Sequence, residues 1–248
     1  MNTIEFQCSE ELVSALEDIK PVPAKLNIPE WYKKLNHTPD RFTVKGCMPF
    51  LDTLTTGYIL KTSQDLFLKH NHVNEKNERD TSYRYALHDE GHYIGENLLN
   101  INHKQPEIHP IYQVGESCPY AAKNKNLPFY KILNPYIIKT PPGYSTLFVP
   151  PLNNSDDRFS IIPGIVDTDK FNKPINFPIV INGDKYPILE TTIKRGTPYI
   201  QVIPFKRESW KMKLTSNSYR DRKKNFLYLK LKLIHNYKEL LWSKKTWK

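Results

Sequence analysis

A mainly-β core followed by a basic helix is the fold this sequence predicts, and three observations predict it. All 20 prolines and all 9 glycines fall at or before Pro204, the punctuation expected of short strands and tight turns. The charge balance changes at the same place. Residues 1–205 carry 22 basic and 23 acidic side chains, whereas residues 206–248 carry 14 and 3. Within 134–205, apolar runs are separated by Pro142-Gly143 and Asn182-Gly183 turns and by a Gly164-Ile165-Val166-Asp167 corner, a pattern of β-strands and hairpins. The expected organisation is a helix and proline-rich arm over 1–40, a mainly-β domain over 41–207 and a helical tail over 208–248.

The elements follow in chain order. Ser9, followed by Glu10, Glu11 and an apolar run, predicts a short capped helix. The stretch from Pro21 to Leu35 predicts an extended, proline-stiffened arm with one helical turn after Pro29. Strands are predicted over 42–50 and 57–68, a polar loop from His70 to Asp80, further strands within 83–115, and a lysine- and asparagine-rich connection from Pro119 to Pro128. Beyond Pro204, Phe226, Leu229, Leu233, Tyr237 and Leu240 recur at helical spacing, which predicts a helix over roughly 217–243. Leu227, Leu229, Leu231 and Leu233 also alternate as a strand would. The length and the lack of any breaker favour the helix.

Composition excludes several classes. With 39% hydrophobic and 25% charged residues, the chain has the composition of a folded protein rather than a disordered one. No apolar run approaches the roughly 20 residues of a membrane-spanning helix, and the acidic first twenty residues do not read as a secretory leader. Cys8, Cys47 and Cys118 are odd in number and widely spaced, as free thiols in a reducing compartment would be. A cytoplasmic setting is expected, which for a viral protein means the host cytoplasm or the virion.

Residues 134–205 resemble the β-clip core of dUTPases and dCTP deaminases. Pro141-Pro142-Gly143-Tyr144 matches the Pro-x-Gly-Tyr turn of that core, Gly164-Ile165-Val166-Asp167-Thr168-Asp169 matches its water-orienting motif, and Gly196 with Gln201 echoes its fourth motif. The resemblance implies a β-clip barrel, a possible homotrimer, and an enzyme alternative in which Asp167 is the base and Gln201 lies near phosphate with Mg2+. The sequence departs from the family where phosphate is held. Pro150-Pro151-Leu152-Asn153 stands in place of the arginine and serines, Lys170 stands where a tyrosine should pack under the sugar, and Ile59 replaces an aspartate after Gly57-Tyr58. A carboxylate without a phosphate clamp has little transition-state charge to work on. Asp167 and Asp169 can equally be turn caps.

Over its whole length the chain also resembles a family of uncharacterised phage and bacterial proteins. The matching pieces are Ile28-Pro29-Glu30-Trp31, Cys47-Met48-Pro49-Phe50, Thr140 to Ser145 and Pro204-Phe205-Lys206-Arg207. The resemblance brings no activity with it and implies a phage origin.

Two further groups of residues could carry function. On a strand, His88, Glu90 and His92 would share one face and could present two imidazoles and a carboxylate to a metal, whereas Asp89-Glu90-Gly91 also reads as a hairpin turn. In the tail, Arg220, Arg222, Lys223, Lys224, Lys244 and Lys245 could meet phosphates, with Trp242 and Trp247 for stacking. The same residues also suit a packed amphipathic helix or docking to an acidic protein partner or a capsid lattice. The leading expectation is a structural or interaction protein without enzymatic activity or cofactor, homo-oligomeric, acting as scaffold and docking platform. A deoxynucleotide enzyme and a nucleic-acid binder are the alternatives.

Overall fold

Fourteen short strands, antiparallel in every pairing, carry the architecture of the described residues. The computed structural model describes residues 2–38, 40–85, 108–153, 156–216, 218–220, 223 and 237–248. The strands are β1 (Glu5–Gln7), β2 (Val22–Pro23), β3 (Tyr58–Lys61), β4 (Leu66–Val73), β5 (Arg79–Tyr85), β6 (Ile108–His109) and β7 (Phe129–Ile132), followed by β8 (Ile137–Lys139), β9 (Tyr144–Val149), β10 (Phe159–Ile161), β11 (Gly164–Val166), β12 (Phe177–Ile181), β13 (Leu189–Ile193) and β14 (Pro198–Lys206). They form four sheets: a pair β1-β8, a four-stranded sheet β10-β12-β7-β6, a five-stranded sheet β11-β9-β14-β3-β2 and a three-stranded sheet β13-β4-β5. The mainly-β expectation holds. The expected barrel does not appear among the described residues, because the sheets share side chains across one core without hydrogen-bonding into a closed ring.

The core is built where these sheets face one another. Phe148 of β9 packs against Phe177 of β12 at 5.2 Å between ring centroids, and Phe177 against Tyr199 of β14 at 5.9 Å. Alternation sets the inward faces, with Phe148, Val202, Ile200, Leu60, Leu66 and Leu68 buried in one cluster. Gly57, at φ +71°, lets β3 start hard against β14, because a Cβ there would lie 2.1 Å from the Val202 carbonyl oxygen.

The first forty residues, expected as an arm, are stitched into this core. Helix α1 (Glu10–Ala15) is capped as predicted, with Ser9 Oγ accepting from the Leu12 N–H at 3.4 Å. Its Leu12 and Leu16, with Ile19 beyond, lie in the central cluster. β1 pairs with β8 and β2 with β3. Arg195 grips Asp18 through both terminal nitrogens and donates to the Ala15 carbonyl at 3.1 Å. The turn predicted after Pro29 is α2 (Glu30–Lys33).

Three expectations for the middle of the chain are corrected. The stretch 42–50 is not a strand. It leads into α3 (Met48–Thr55), whose Pro49 falls in the first turn, where its missing N–H costs nothing. The polar segment from His70 to Asp80 is a hairpin rather than an open loop. Asn74 Oδ1 accepts from the Lys76 and Glu78 N–H groups at 3.0 and 2.9 Å, folding the turn between β4 and β5. The connection from Pro119 holds the helix α5 (Pro119–Lys123), which follows a one-turn helix α4 (Ile111–Val114). Beyond α5, buried Asn124 accepts from the Ile181 N–H and donates to the Leu127 and Pro128 carbonyls.

Most of the predicted 217–243 helix lies outside the described residues. Tyr219, Arg220 and Lys223 are helical, and Tyr237–Leu241 form a π turn. No helix of the described residues is long and apolar enough to cross a membrane.

Candidate functional site

The Gly164-to-Asp169 corner closes onto the end of β14 through charge. β11 pairs with β9, and β9 with β14, so the residues following β11 and β14 meet beside the Pro141–Tyr144 turn. Gly143 adopts φ +85° there, and the Tyr144 N–H returns to the Pro141 carbonyl at 3.2 Å.

Arg207, one residue past β14, is the centre of this arrangement. Its guanidinium donates to Asp169 Oδ1 at 2.8 Å and to Oδ2 at 2.5 Å, a two-point grip. The same group donates to the Tyr144 carbonyl at 2.9 Å and to Ser145 Oγ at 3.1 Å, and it lies 3.3 Å from Asp167 Oδ1. Asp169 also accepts the Gly143 N–H at 2.9 Å. Asp167 accepts the Ser145 hydroxyl at 2.6 Å. Behind them Thr168 Oγ1 links Thr140 and Thr146 at 2.7 and 2.8 Å in a buried row of hydroxyls.

The two carboxylates differ in environment. The Asp169 side chain is 5% exposed and that of Asp167 is 54% exposed. The Arg207 hydrogen bonds, helped by the Gly143 N–H, hold the Asp169 carboxyl well below the usual carboxylate range, and Asp169 in turn pushes Arg207 upward. A carboxylate locked ionised by a guanidinium is a poor proton acceptor at neutral pH.

Gln201 stands apart from this corner. It lies opposite Val149, four residues along β9 from Ser145, on the order of 13 Å away. Its Oε1 accepts the Leu152 N–H at 2.9 Å, and its Nε2 donates to the Thr53 and Thr56 carbonyls at 3.0 and 2.6 Å. It is 1% exposed, a tie between β14, α3 and the loop after β9.

A cavity of about 180 Å³ opens where β9 ends, lined by Pro150, Pro151, Asp156, Phe159, Pro198 and Tyr199 among others. Its carboxylate is already partnered. Arg158 donates to Asp156 through its backbone N–H at 3.1 Å, Nε at 2.8 Å and a terminal nitrogen at 2.5 Å. An acidic group between proline walls is the opposite of a phosphate clamp.

The end of the chain folds back onto the core. Trp242 Nε1 points at the two carboxylate oxygens of Asp52 in α3 at 3.2 and 3.1 Å, and Lys245 Nζ reaches Asp52 Oδ2 at 2.6 Å. The Lys245 ammonium sits 5.8 Å from the Trp242 ring centroid. Trp247 meets Tyr58 edge-on at 5.9 Å, and the Tyr58 hydroxyl donates to the Lys248 carbonyl at 3.1 Å. Three residues proposed for partner or nucleic-acid contact, Trp242, Lys245 and Trp247, are thus engaged within the chain. Arg220, Lys223 and Lys244 are exposed, and Arg222 and Lys224 lie outside the described residues.

The metal candidates His88, Glu90 and His92 also lie outside the described residues. Among the described residues no group of three His, Cys, Asp or Glu side chains is placed to hold a metal ion. Sequence reasoning missed Arg207, whose place in Pro204-Phe205-Lys206-Arg207 was visible without a role. It also missed His70, which was read as part of a loop and is fully buried on β4. No protein-family model matches the chain, and no curated protein matches it.

Proposed function

We propose that this chain is a non-enzymatic structural or interaction protein, phage-encoded, acting as a virion component or as an accessory protein in the host cytoplasm. Its β-clip-like core is the scaffold, and its basic C-terminal region docks to a partner. The observation that carries this reading is the grip of Arg207 on Asp169, with Asp167 drawn to the same guanidinium. Asp167, the carboxylate expected as base, and Asp169 both face the guanidinium that holds the end of the core strand. Gln201, the residue expected near phosphate, is taken up by three backbone groups.

Incubating the purified chain with dUTP and dCTP, with and without Mg2+, tests the proposal. No product is expected. Turnover that Asp167→Asn abolishes overturns the proposal in favour of a deoxynucleotide enzyme. A second reading, nucleic-acid binding, is favoured by the net charge of residues 206–248 and by the exposure of Arg220, Lys223 and Lys244. It predicts affinity that falls steeply with salt and is lost on truncation after Arg207.

A further inference from the structure

The segment after β14 presents the most exposed large apolar side chains of the described residues. Trp210, Met212 and Leu214 are 87%, 92% and 94% exposed. Together they offer roughly 400 Å² to solvent, the size of the largest apolar patch on a typical monomer. Residues 207–216 form no helix or strand, and every residue from 208 to 216 is exposed. Charge follows the same stretch. Lys211 and Lys213 alternate with the apolar residues, so an extended chain carries Trp210, Met212 and Leu214 on one side and the lysines on the other. Glu208, the one acid from Lys206 to Arg220, pairs with Lys206 at 3.3 Å. Lys211, Lys213 and Arg220 form no ion pair among the described residues. Tyr219, 75% exposed, adds an amphipathic ring beside Arg220.

Three kinds of surface match this charge, and they differ in what they offer the apolar side chains. A single-stranded nucleic acid offers base faces to Trp210 but nothing apolar to Met212 and Leu214. The alternation also turns the lysines away from the side that would stack. A groove on an acidic protein must first order the segment, which no helix or strand holds here. A bilayer surface needs no fixed shape. It takes Trp at the level of the headgroups with Met and Leu just beneath, and it leaves the backbone polar groups within reach of water. Lysines on the opposite side stay within a Debye length of the lipid phosphates.

We infer that the 208–216 segment is a peripheral anchor for an anionic bilayer surface. Trp210, Met212 and Leu214 enter the interface, and Lys211 and Lys213 are held by its negative potential. No helix of the described residues is long and apolar enough to cross a bilayer, and this contact is confined to one leaflet. The Arg207 grip on Asp169 fixes where the segment leaves the core, so an anchored segment holds the β core beside the membrane. This role rests on the basic C-terminal region being the docking element, and it names an anionic lipid surface as the partner.

Co-sedimentation of the full chain with sucrose-loaded vesicles tests it, using phosphatidylcholine alone and phosphatidylcholine mixed with phosphatidylglycerol. The chain is expected on the anionic vesicles at low salt and not on the neutral ones. One variant replaces Trp210, Met212 and Leu214 with Ser, and it should partition at least about tenfold less. The other combines Lys211→Gln with Lys213→Gln. It should partition roughly thirtyfold less, since a lysine near such a surface contributes about fivefold. All five positions are exposed, and thermal melts check that both variants fold. A second readout separates insertion from adsorption. Anionic vesicles containing lipid brominated on the acyl chain should quench tryptophan emission in the wild type and clearly less in Trp210→Phe, because Trp31, Trp242 and Trp247 pack on the core. Failure to sediment with the anionic vesicles at low salt overturns the inference, as does equal sedimentation with the neutral ones. So does binding that either variant retains in full, or quenching that Trp210→Phe retains in full. Trp210-dependent binding to an oligothymidylate probe, with none to vesicles, overturns it in favour of nucleic acid. In each case the docking reading stands unless the chain turns over dUTP or dCTP, so the two fail separately.

Discussion

Arg207 and Asp169 form a two-point ion pair, at 2.8 and 2.5 Å, that fastens the residue after the last core strand to the corner after β11. The strand pairing places these residues within reach, and the pair determines where the chain leaves the core. The 208–216 segment therefore begins from a fixed point.

The pair makes a prediction about stability. Asp169→Asn keeps the side-chain size but removes the charge that Arg207 faces, leaving a guanidinium without its main partner. Its melting temperature should fall clearly below that of Asp167→Asn, whose carboxylate is half exposed and screened. Thermal denaturation by circular dichroism gives the comparison, and equal melting temperatures would remove the distinction.

His70 predicts a pH dependence of stability. Burial lowers its pKa from 6.5 to about 4, with Lys125 adding to the shift and the Asn124 backbone opposing it. Because the folded value is below the unfolded one, the unfolded chain binds the proton more readily. Stability should fall as pH drops from 6.5 to 4, by roughly 2–3 kcal/mol. His70→Leu should flatten that slope in urea titrations. Neither ring nitrogen makes a hydrogen bond of normal geometry among the described residues, and the Asn124 carbonyl beside the ring already accepts the Leu127 N–H at 3.2 Å, so the substitution strands no partner.

Gln201→Leu should be costly although its size is nearly conserved. It strands the Leu152 N–H and the carbonyls of Thr53 and Thr56. The expected loss is about 2–4 kcal/mol in equilibrium urea unfolding, since each buried unpaired group costs about 1–3 kcal/mol. A loss below about 1 kcal/mol would show that these groups find other partners.

Trp247→Ala should release the end of the chain. The ring packs on Tyr58, which packs in turn on Phe6 at 5.6 Å, so the docked end touches the aromatic edge of the core. Hydrogen exchange of the amides in 242–248 is expected to accelerate at least tenfold while that of β9 and β14 is unchanged. Unchanged exchange in 242–248 would mean that the Asp52 contacts alone hold the segment.

What was legible in the sequence was what local chemistry decides. Ser9 with Glu10 and Glu11 announced a capped helix, Pro29 a helical turn, and Pro142-Gly143 a turn. The misreadings came from long-range packing. The 42–50 stretch looks apolar enough for a strand, yet Pro49 suits the first turn of α3, whose Gln201 anchor comes from residues about 150 positions away. His70 sits in a run of polar residues that any local rule reads as loop, but the pairing of β4 with β13 and β5 buries it. The site was half visible. Asp167 and Asp169 stood out through the corner motif, whereas Arg207 could be assigned only once β9 had placed the two strand ends side by side.

The central claim is that the corner carboxylates hold the chain rather than act on a substrate, and carboxyl carbon NMR of the folded protein across acidic pH tests it most directly. Asp169 should stay ionised well below the ordinary carboxylate range. In Arg207→Ala its titration should move upward, and the wild type should show no change in either carboxyl signal on adding dUTP, dCTP and Mg2+. An Asp169 that titrates in the ordinary range, or an Asp167 signal that shifts on nucleotide and Mg2+, would contradict the claim.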